Sequence, residues 1–198
     1  MKPSGPLRHA LERYAAPVSA PWMPIRSLTA QNGDQISSHL IALSESDRYL
    51  RFGFSATDEQ VIRYTESLQF DRDEVFGIFN PTLELIAMAH LACFPIVDEP
   101  EASATAEFGV SVAGSVRGQR YGTRLFEHAV LHASNRGCER LFIHALSENT
   151  VMLKIARNGG ATVECNGSES QAWLKLSPHN LSSQRQAPLT ERLTESRF

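Results

Sequence analysis

The fold of this chain is decided by the stretch Ala106-Glu107-Phe108-Gly109-Val110-Ser111-Val112, followed after a four-residue gap by Arg117-Gly118-Gln119-Arg120-Tyr121-Gly122-Thr123. The first segment has the composition of a strand, and the second is a turn that contains glycine and arginine. An amphipathic helix is predicted over Gly118–Asn135, with Phe126 and Ala129 on its apolar face. A strand that leads through such a turn into a helix directs several backbone N–H groups, and the positive end of the helix dipole, at one point. This arrangement favours phosphate binding.

The turn does not match the two common nucleotide-binding motifs. A P-loop is excluded because no GxxxxGK[ST] pattern occurs, and a dinucleotide fingerprint is excluded because there is no GxGxxG. The local charge nevertheless suits an anionic ligand, since residues 108–140 hold five arginines against two glutamates, a net +3 within a chain of net charge −3. An ordinary turn between a strand and a helix is the alternative interpretation of a single R-x-x-x-x-G pattern.

The composition limits the class of protein. The chain has 198 residues, of which 42% are hydrophobic and 21% charged, and this suits one globular domain. Its net charge of −3 argues against nucleic-acid binding, and its longest apolar run, Leu91–Val97, is far below the roughly 18 residues of a membrane span. The three cysteines form no CxxC pair, so we expect a cytoplasmic protein without disulfides. His128 and His132 lack the glutamate of HExxH, and no metal is predicted.

Three segments are predicted along the chain. Residues 1–24 contain five of the ten prolines and form an extended N-terminal arm. Residues 177–198 have few apolar side chains and form a mobile C-terminal tail. Residues 25–176 form the folded domain, with elements in the order β-α-α-β-β-β-α-β-α-β-β. The terminal segments are candidates for contacts in a homodimer.

Three motifs in the same order resemble the GNAT family of N-acetyltransferases. The cofactor signature of that family is [RQ]-x-x-G-x-[GA] at the start of a helix, and Arg117-Gly118-Gln119-Arg120-Tyr121-Gly122 matches its first and last positions. Arg120 stands where glycine is usual. Upstream, Ser44-x-x-x-Arg48-Tyr49-Leu50-Arg51-Phe52 resembles the members that acetylate protein lysines, which are closest in motif style. Downstream, the pattern N-x-x-[MA]-x-x-[LI]-x-x-x-x-G is matched by Asn149, Met152, Ile155 and Gly160.

This resemblance implies an α/β fold: an α-β-α sandwich around a mixed, mostly antiparallel sheet of six to seven strands, with a strand-turn-helix site for acyl-CoA. It implies that acetyl-CoA is the co-substrate, that the backbone of residues 110–112 pairs with the pantetheine amides, and that the turn holds the pyrophosphate. Arg120 can take part if its φ stays negative. The implied cofactor-binding residues are Val110, Ser111, Val112, Arg117, Gly118, Gln119, Arg120, Tyr121, Gly122, Thr123 and Asn149.

The implied reaction is direct attack of a primary amine on the thioester. An alkylamine with a pKa of about 10.4 is almost wholly protonated at pH 7, so a base is needed. Glu107 is the candidate, acting through a water, because related lysine acetyltransferases carry their catalytic glutamate in the same A-E-[FV]-[GA] context. A solvated edge residue is the alternative interpretation. His144 is the second candidate base, although a histidine on an apolar strand is more often a core residue. Ala156 stands where many members have a tyrosine acid, so no general acid is predicted.

The acceptor is left open among a protein lysine, a protein N-terminus and a small amine. Two function classes follow: an acetyl-CoA-dependent N-acetyltransferase, and a non-catalytic acyl-CoA-binding regulatory module of the same fold. The three motifs together favour the first class. The missing tyrosine and Arg120 favour the second, and amine-dependent thiol release separates the two.

Overall fold

The computed structural model describes residues 23–94 and 104–177, which contain seven strands and five α-helices. Nearly all of the predicted arm and tail, residues 1–22 and 178–198, lies outside the described residues. Short 3₁₀ turns at Ala30–Asn32 and Gly114–Val116 precede two of the helices. The elements in chain order are β1 (Ile25–Leu28), α1 (Gly33–Ile41), α2 (Glu45–Phe52), α3 (Asp58–Glu66), β2 (Glu74–Phe79), β3 (Leu85–Phe94), β4 (Thr105–Val112), α4 (Tyr121–Asn135), β5 (Arg140–Leu146), α5 (Thr150–Asn158), β6 (Thr162–Asn166) and β7 (Glu169–Lys175).

The seven strands form one sheet in the order β1-β2-β3-β4-β5-β7-β6. The pair β4–β5 is parallel, and the other described pairs are antiparallel. The predicted mixed, mostly antiparallel sheet is therefore confirmed. Within the described ranges, none of the helices combines the length and the apolar character needed to cross a membrane.

The period of two along the central strands sends alternate side chains into two apolar cores. On β3, Ala89 and Leu91 belong to the core that contains the apolar face of α4 and part of α5. Met88, which precedes Ala89 and points to the opposite face, belongs to the second core, to which α1 and α3 contribute. Full burial of a large apolar side chain contributes about 1.5–3 kcal/mol. The two cores fasten helices to both faces of the sheet and produce the predicted sandwich.

One helix of the structure, α2, was not predicted. None of its eight residues is fully buried, although Phe52 packs, partly buried, against the second core. Its ends and one side chain hold it instead: the Ser44 hydroxyl accepts a hydrogen bond of 3.2 Å from the Asp47 N–H, and Gly53 ends the helix at φ 80°. Arg48 forms an ion pair of 2.6 Å with Asp58 at the start of α3. The serine cap and the terminal glycine were the available sequence signals.

The helix predicted over Gly118–Asn135 begins later, at Tyr121. Gly118 and Arg120 have φ values of 78° and 62°, in the left-handed region. Because an α-helix requires negative φ, these residues form the turn rather than the first turn of α4. The positive end of α4 is therefore at Tyr121.

β4 and β5 pair over a short distance and then separate. Within the described chain their ladder ends at Glu107, which faces Phe142. β4 continues to Val112 and β5 to Leu146, while the opposite edge of β4 stays paired with β3 as far as Val112. A wedge-shaped opening results, and one of its sides is an unpaired edge of β4.

Candidate active site

The opening between β4 and β5 leads into a cleft of about 1210 Å³. This exceeds the roughly 300–1,000 Å³ of a typical small-molecule site, so the cleft has room for a long ligand. Its walls come from β4, the turn before α4, the start of α5, and α2. Every predicted cofactor-binding residue except Gln119 lines the cleft. The Gln119 side chain instead accepts a hydrogen bond of 3.0 Å from the Tyr121 hydroxyl.

The β4 wall offers backbone groups rather than side chains. The Ser111 hydroxyl lies 2.8 Å from Nε2 of His39 and donates to it, because His39 uses its Nδ1–H on the Leu85 carbonyl. Val110 and Val112 pack against the core on the α4 side. One edge of β4 is already paired with β3, so the N–H and C=O groups of the other edge are left for a ligand. An extended molecule that contains amides can pair with such an edge.

The turn before α4 exposes unpaired N–H groups. No side chain caps the helix at Arg120, and the first N–H groups of a helix have no partner within it. An anion at this point satisfies these donors and meets the positive end of the helix dipole. The exposed side chains of Arg117 and Arg120 add positive charge. The residues present therefore fit a pyrophosphate.

Arg120 does not meet the condition of a negative φ, since the structure places it at φ 62°. The chain keeps the conformation that glycine normally provides in this slot, although an arginine occupies it. A left-handed conformation costs an L-residue roughly 1–2 kcal/mol because its Cβ approaches the following carbonyl oxygen. The turn thus holds Arg120 under local strain.

Arg120→Gly is expected to raise the free energy of unfolding by about 1 kcal/mol, because glycine adopts positive φ without this contact. Urea unfolding measures the change. Arg120→Ala is the matched control, since it removes the same side chain but keeps the Cβ. An equal gain in the alanine variant would show that charge repulsion, rather than backbone strain, limits stability here.

Glu107 and His144, the two candidate bases, contact one another. Oε1 of Glu107 lies 3.1 Å from Nδ1 of His144, and Nε2 of His144 lies 3.2 Å from Nε2 of Gln171. An amide nitrogen only donates, so His144 accepts at Nε2 and donates from Nδ1 to Glu107. The side chains of Glu107 and His144 are 45% and 58% exposed. The interpretation of His144 as a core residue is wrong, because Leu141 and Ile143 occupy the buried face of β5.

Helix α2 is attached to both walls of the cleft. Asp47 forms an ion pair with Arg117 of the turn, and Nδ2 of Asn149 donates to the Leu50 carbonyl over 3.4 Å. Burial disfavours the charged form of Asp47, but the hydrogen bond from Arg117 and a second from Ser44 outweigh burial and lower the pKa of Asp47. Asn149 also caps α5. Two residues of the family signature are thus held by α2.

A chain of hydrogen-bonded polar side chains beside the cleft was not predicted from the sequence. Nη2 of Arg51 donates to the Tyr64 hydroxyl over 2.8 Å, and this hydroxyl lies 2.9 Å from Nδ1 of His90. Nε2 of His90 lies 3.1 Å from Oδ2 of Asp73. These residues are far apart in sequence, so no local motif marks them. The one available signal is His90 itself, a polar residue within the apolar strand Leu85–Phe94.

His128 and His132, the pair that lacks the glutamate of HExxH, are half-buried side chains. Both rings contact Phe76: the ring centroids of His128 and His132 lie 4.6 and 4.8 Å from the Phe76 centroid. Nδ1 of His132 also lies 2.5 Å from Oε2 of Glu74. Over residues 23–94 and 104–177, no group of three or more His, Cys, Asp or Glu side chains is arranged to hold a metal ion.

Comparisons with known proteins agree with this geometry. The chain is similar to the GNAT domain of S. lividans PAT, with 21% identity and a TM-score of 0.64 over 77% of this chain and 89% of that one. It is also similar to ribosomal-protein-alanine N-acetyltransferase from Brucella melitensis, with 15% identity and a TM-score of 0.61 over 78% and 100%. A third similar structure is RimL, a ribosomal L7/L12 α-N-protein acetyltransferase in complex with coenzyme A, with 14% identity and a TM-score of 0.58 over 80% and 96%.

At these identities the solved structures show a shared fold. No curated protein sequence matches the chain significantly. The model of the acetyltransferase (GNAT) family matches residues 42–159, which is more than half of the chain and includes α2, β4, the turn and α5. The chain therefore belongs to the acetyltransferase (GNAT) family.

Proposed function

We propose that this protein transfers the acetyl group of acetyl-CoA to a primary amine in the cytoplasm, with Glu107 as the base. One observation carries the proposal: a single cleft joins the unpaired edge of β4, the uncapped start of α4 and the half-exposed Glu107 carboxylate. These parts suit the pantetheine amides, the pyrophosphate and the incoming amine in turn. The free thiols of the described cysteines are consistent with a reducing compartment.

On the cofactor side, the chain supplies mostly backbone. The pantetheine amides pair with the backbone of residues 110–112 and so extend the sheet. The backbone N–H groups from Gly118 to Thr123 hold the pyrophosphate, and the side chains of Arg117 and Arg120 lie nearby. Asn149 lies on the opposite wall. Acetyl-CoA supplies the acetyl group as an activated thioester. The RimL complex with coenzyme A supports this assignment by shared fold.

On the acceptor side, proton removal is the main task of the protein. The amine arrives as an ammonium ion at pH 7, and Glu107 accepts its proton directly or through a water. The nitrogen then forms a bond to the thioester carbon, the C–S bond breaks, and coenzyme A leaves as a thiolate. A thiol pKa of about 8.5 makes a strong acid unnecessary, which is consistent with Ala156 in place of tyrosine. His144 donates to one oxygen of Glu107 and so orients the carboxylate.

Acetyl-CoA and CoA are expected to raise the melting temperature, whereas NAD and ATP are not. A ligand at 100 times its dissociation constant stabilises by about 2.7 kcal/mol, which a thermal-shift assay detects easily. The assay is run at low salt, because salt screens contacts between arginine and phosphate. Absence of a shift at millimolar acetyl-CoA would contradict the cofactor assignment.

Gly122→Glu tests where the cofactor binds. A Cβ on Gly122 would lie 3.2 Å from Cδ1 of Ile155, so a longer side chain must turn away from α5 towards the turn. There its charge repels phosphate, and acetyl-CoA affinity should fall at least tenfold, about 1.4 kcal/mol. Isothermal titration of the folded variant measures the loss, and unchanged affinity counts against the loop assignment.

Free-thiol release with a panel of amines separates the two function classes. The panel contains polyamines, amino acids, aminoglycosides and lysine peptides, each with acetyl-CoA. Amine-dependent release supports the transferase. Binding of acetyl-CoA without such release supports a regulatory module that holds acyl-CoA.

A further inference from the structure

The side chain of Arg51 lies on the acceptor side of the cleft, against the backbone of β4. A methyl group built on Gly109 would lie 2.8 Å from Cζ and from both Nη atoms of Arg51. The guanidinium group therefore occupies the space that any larger residue at position 109 would fill. The rings of Phe52 and Tyr64 lie on its other sides, with centroids 5.3 and 5.4 Å from Cζ.

Arg51 has no carboxylate partner among the described residues, and its Nε, like that of Arg48, is buried without a hydrogen bond. Arg48, one helical turn earlier on α2, provides the contrast. It pairs with Asp58 over 2.6 Å and donates to the Ala56 carbonyl over 3.3 Å. A cation withdrawn from water requires compensation by an anion or by hydrogen bonds. Of the two arginines, Arg51 is the one that has a hydrogen bond to a neutral hydroxyl and contacts with aromatic rings but no carboxylate.

The orientation of Arg51 is set by the chain of Tyr64, His90 and Asp73. A guanidinium only donates, so the Tyr64 oxygen accepts from Arg51 and its hydroxyl donates to Nδ1 of His90. Nε2 of His90 then carries the hydrogen that Asp73 accepts. Burial lowers the pKa of His90; the hydrogen bond to Asp73 partly opposes this, and the charge of Arg51, a smaller effect, lowers the pKa further. The hydrogen-bonded chain orients the guanidinium of Arg51, and the carboxylate at its far end, Asp73, pairs with Arg72 rather than with Arg51.

Arg51 and the candidate base lie on the same face of the sheet. Glu107 and Gly109 are two residues apart on β4, so their side-chain positions share a face and are separated by about 6.6 Å. His90 is paired with Gly109 and lies on that face as well. An amine bound next to Glu107 therefore lies near the guanidinium of Arg51, which occupies the neighbouring side-chain position on this face.

We propose that Arg51 binds a carboxylate of the acceptor, which makes the acceptor a small amine of the amino-acid type. The proposal rests on the proposed function and names its substrate class. Arginine is suited to this role because its planar donors match the two oxygens of a carboxylate. A protein lysine has no carboxylate of its own at this distance from its amine and so leaves Arg51 without an anionic partner.

The test compares L-α-amino acids, β-alanine and γ-aminobutyrate with their own primary amides, by thiol release from acetyl-CoA. Wild-type protein should prefer the best free acid over its amide at least tenfold in kcat/KM. A difference in the concentration of unprotonated amine cannot produce this preference. The amide lacks the carboxylate charge, so its amine has the lower pKa and is more often unprotonated, which would favour the amide. Arg51→Gln should reduce the preference at least tenfold through KM of the acid, with KM for acetyl-CoA unchanged. Arg51→Lys should keep part of it.

Arg63→Gln is the matched control. It removes an exposed arginine of α3, next to Tyr64 in sequence, and should leave the preference unchanged. Melting temperatures of all variants exclude unfolding as the cause. Equal losses for acids and amides in Arg51→Gln would overturn the proposal and assign Arg51 to the thioester. Efficient use of amides or lysine peptides by wild-type protein would also overturn it.

Failure of the proposed function gives a different result, which is no thiol release with any amine. Binding then tests the inference by itself. In the presence of CoA, the free acids should raise the melting temperature of wild-type protein, whereas their amides, or the acids with Arg51→Gln, should not. Equal shifts for acids and amides, or no shift with either, would reject the carboxylate site.

Discussion

Glu107→Gln should lower kcat by 10²–10⁴, about 3–5 kcal/mol of activation free energy, while acetyl-CoA affinity stays nearly unchanged. The acceptor arrives protonated, and the variant lacks the group that removes its proton. Glutamine keeps the volume of the side chain and can still contact His144, so the fold should be maintained. Steady-state kinetics and calorimetric titration with acetyl-CoA measure the two quantities separately.

The deficit of Glu107→Gln should shrink between about pH 7 and pH 10, because the solution then supplies unprotonated amine. His144→Gln is the control: its amide can still donate to Glu107, so its loss of activity should be smaller. If His144→Gln loses more activity than Glu107→Gln, the base is His144 on β5. If neither variant loses activity, the enzyme relies on orientation of an amine that is already deprotonated.

The second large effect concerns stability at acid pH. His39 is buried, with Nδ1 bonded to the Leu85 carbonyl and Nε2 to Ser111, and burial lowers its pKa from 6.5 to about 4. The unfolded chain binds this proton more readily than the folded chain. The contribution of neutral His39 is therefore complete above about pH 6.5 and is lost as the pH falls towards 4. The full loss is about 3 kcal/mol, of which about 2 kcal/mol falls between pH 7 and pH 5.

Urea unfolding at pH 7 and pH 5 measures this loss in wild-type protein and in His39→Gln. The variant should be less stable at pH 7, because it lacks the shape of the imidazole, but its stability should change less with pH by about 2 kcal/mol. His90 also has a lowered pKa, but it affects the pH dependence of stability equally in wild-type protein and in His39→Gln. Its effect therefore cancels when the two proteins are compared. Parallel pH dependence in the two proteins would show that His39 is not the responsible group.

The parts of the site that were predictable from sequence are those formed by residues that are close together in the chain. The segment from Glu107 to Thr123 contains a strand, a turn and a helix start in one run, so its role follows from local pattern and resemblance. Even there, the condition set for Arg120, a negative φ, is not met in the structure. Side-chain type suggests negative φ for arginine, but the turn into α4 requires the left-handed region whichever residue is present.

The acceptor side of the cleft could not be predicted in the same way. α2 buries none of its residues fully: Arg48 bonds to the elements around it, and Phe52 packs only partly buried against the second core. Arg51, Tyr64, His90 and Asp73 meet only after α2, α3 and β3 are assembled. His144 was placed in the core because its neighbours are apolar, but alternation along β5 turns it to the open side. The Gly109 of the A-E-F-G context has its explanation in Arg51, a contact between residues 58 positions apart.

The separation of β4 from β5 also bears on how this protein avoids pairing with copies of itself. An unpaired strand edge usually lies at the border of a sheet, where it can recruit strands of other chains and start aggregation. Here the edge of residues 108–112 lies inside the sheet, between two strands that are joined at Glu107. A strand from another molecule would have to enter the wedge end-on, whereas a slender chain of amides can lie along it. The same edge can thus pair with a small molecule while it is shielded from intermolecular strand addition.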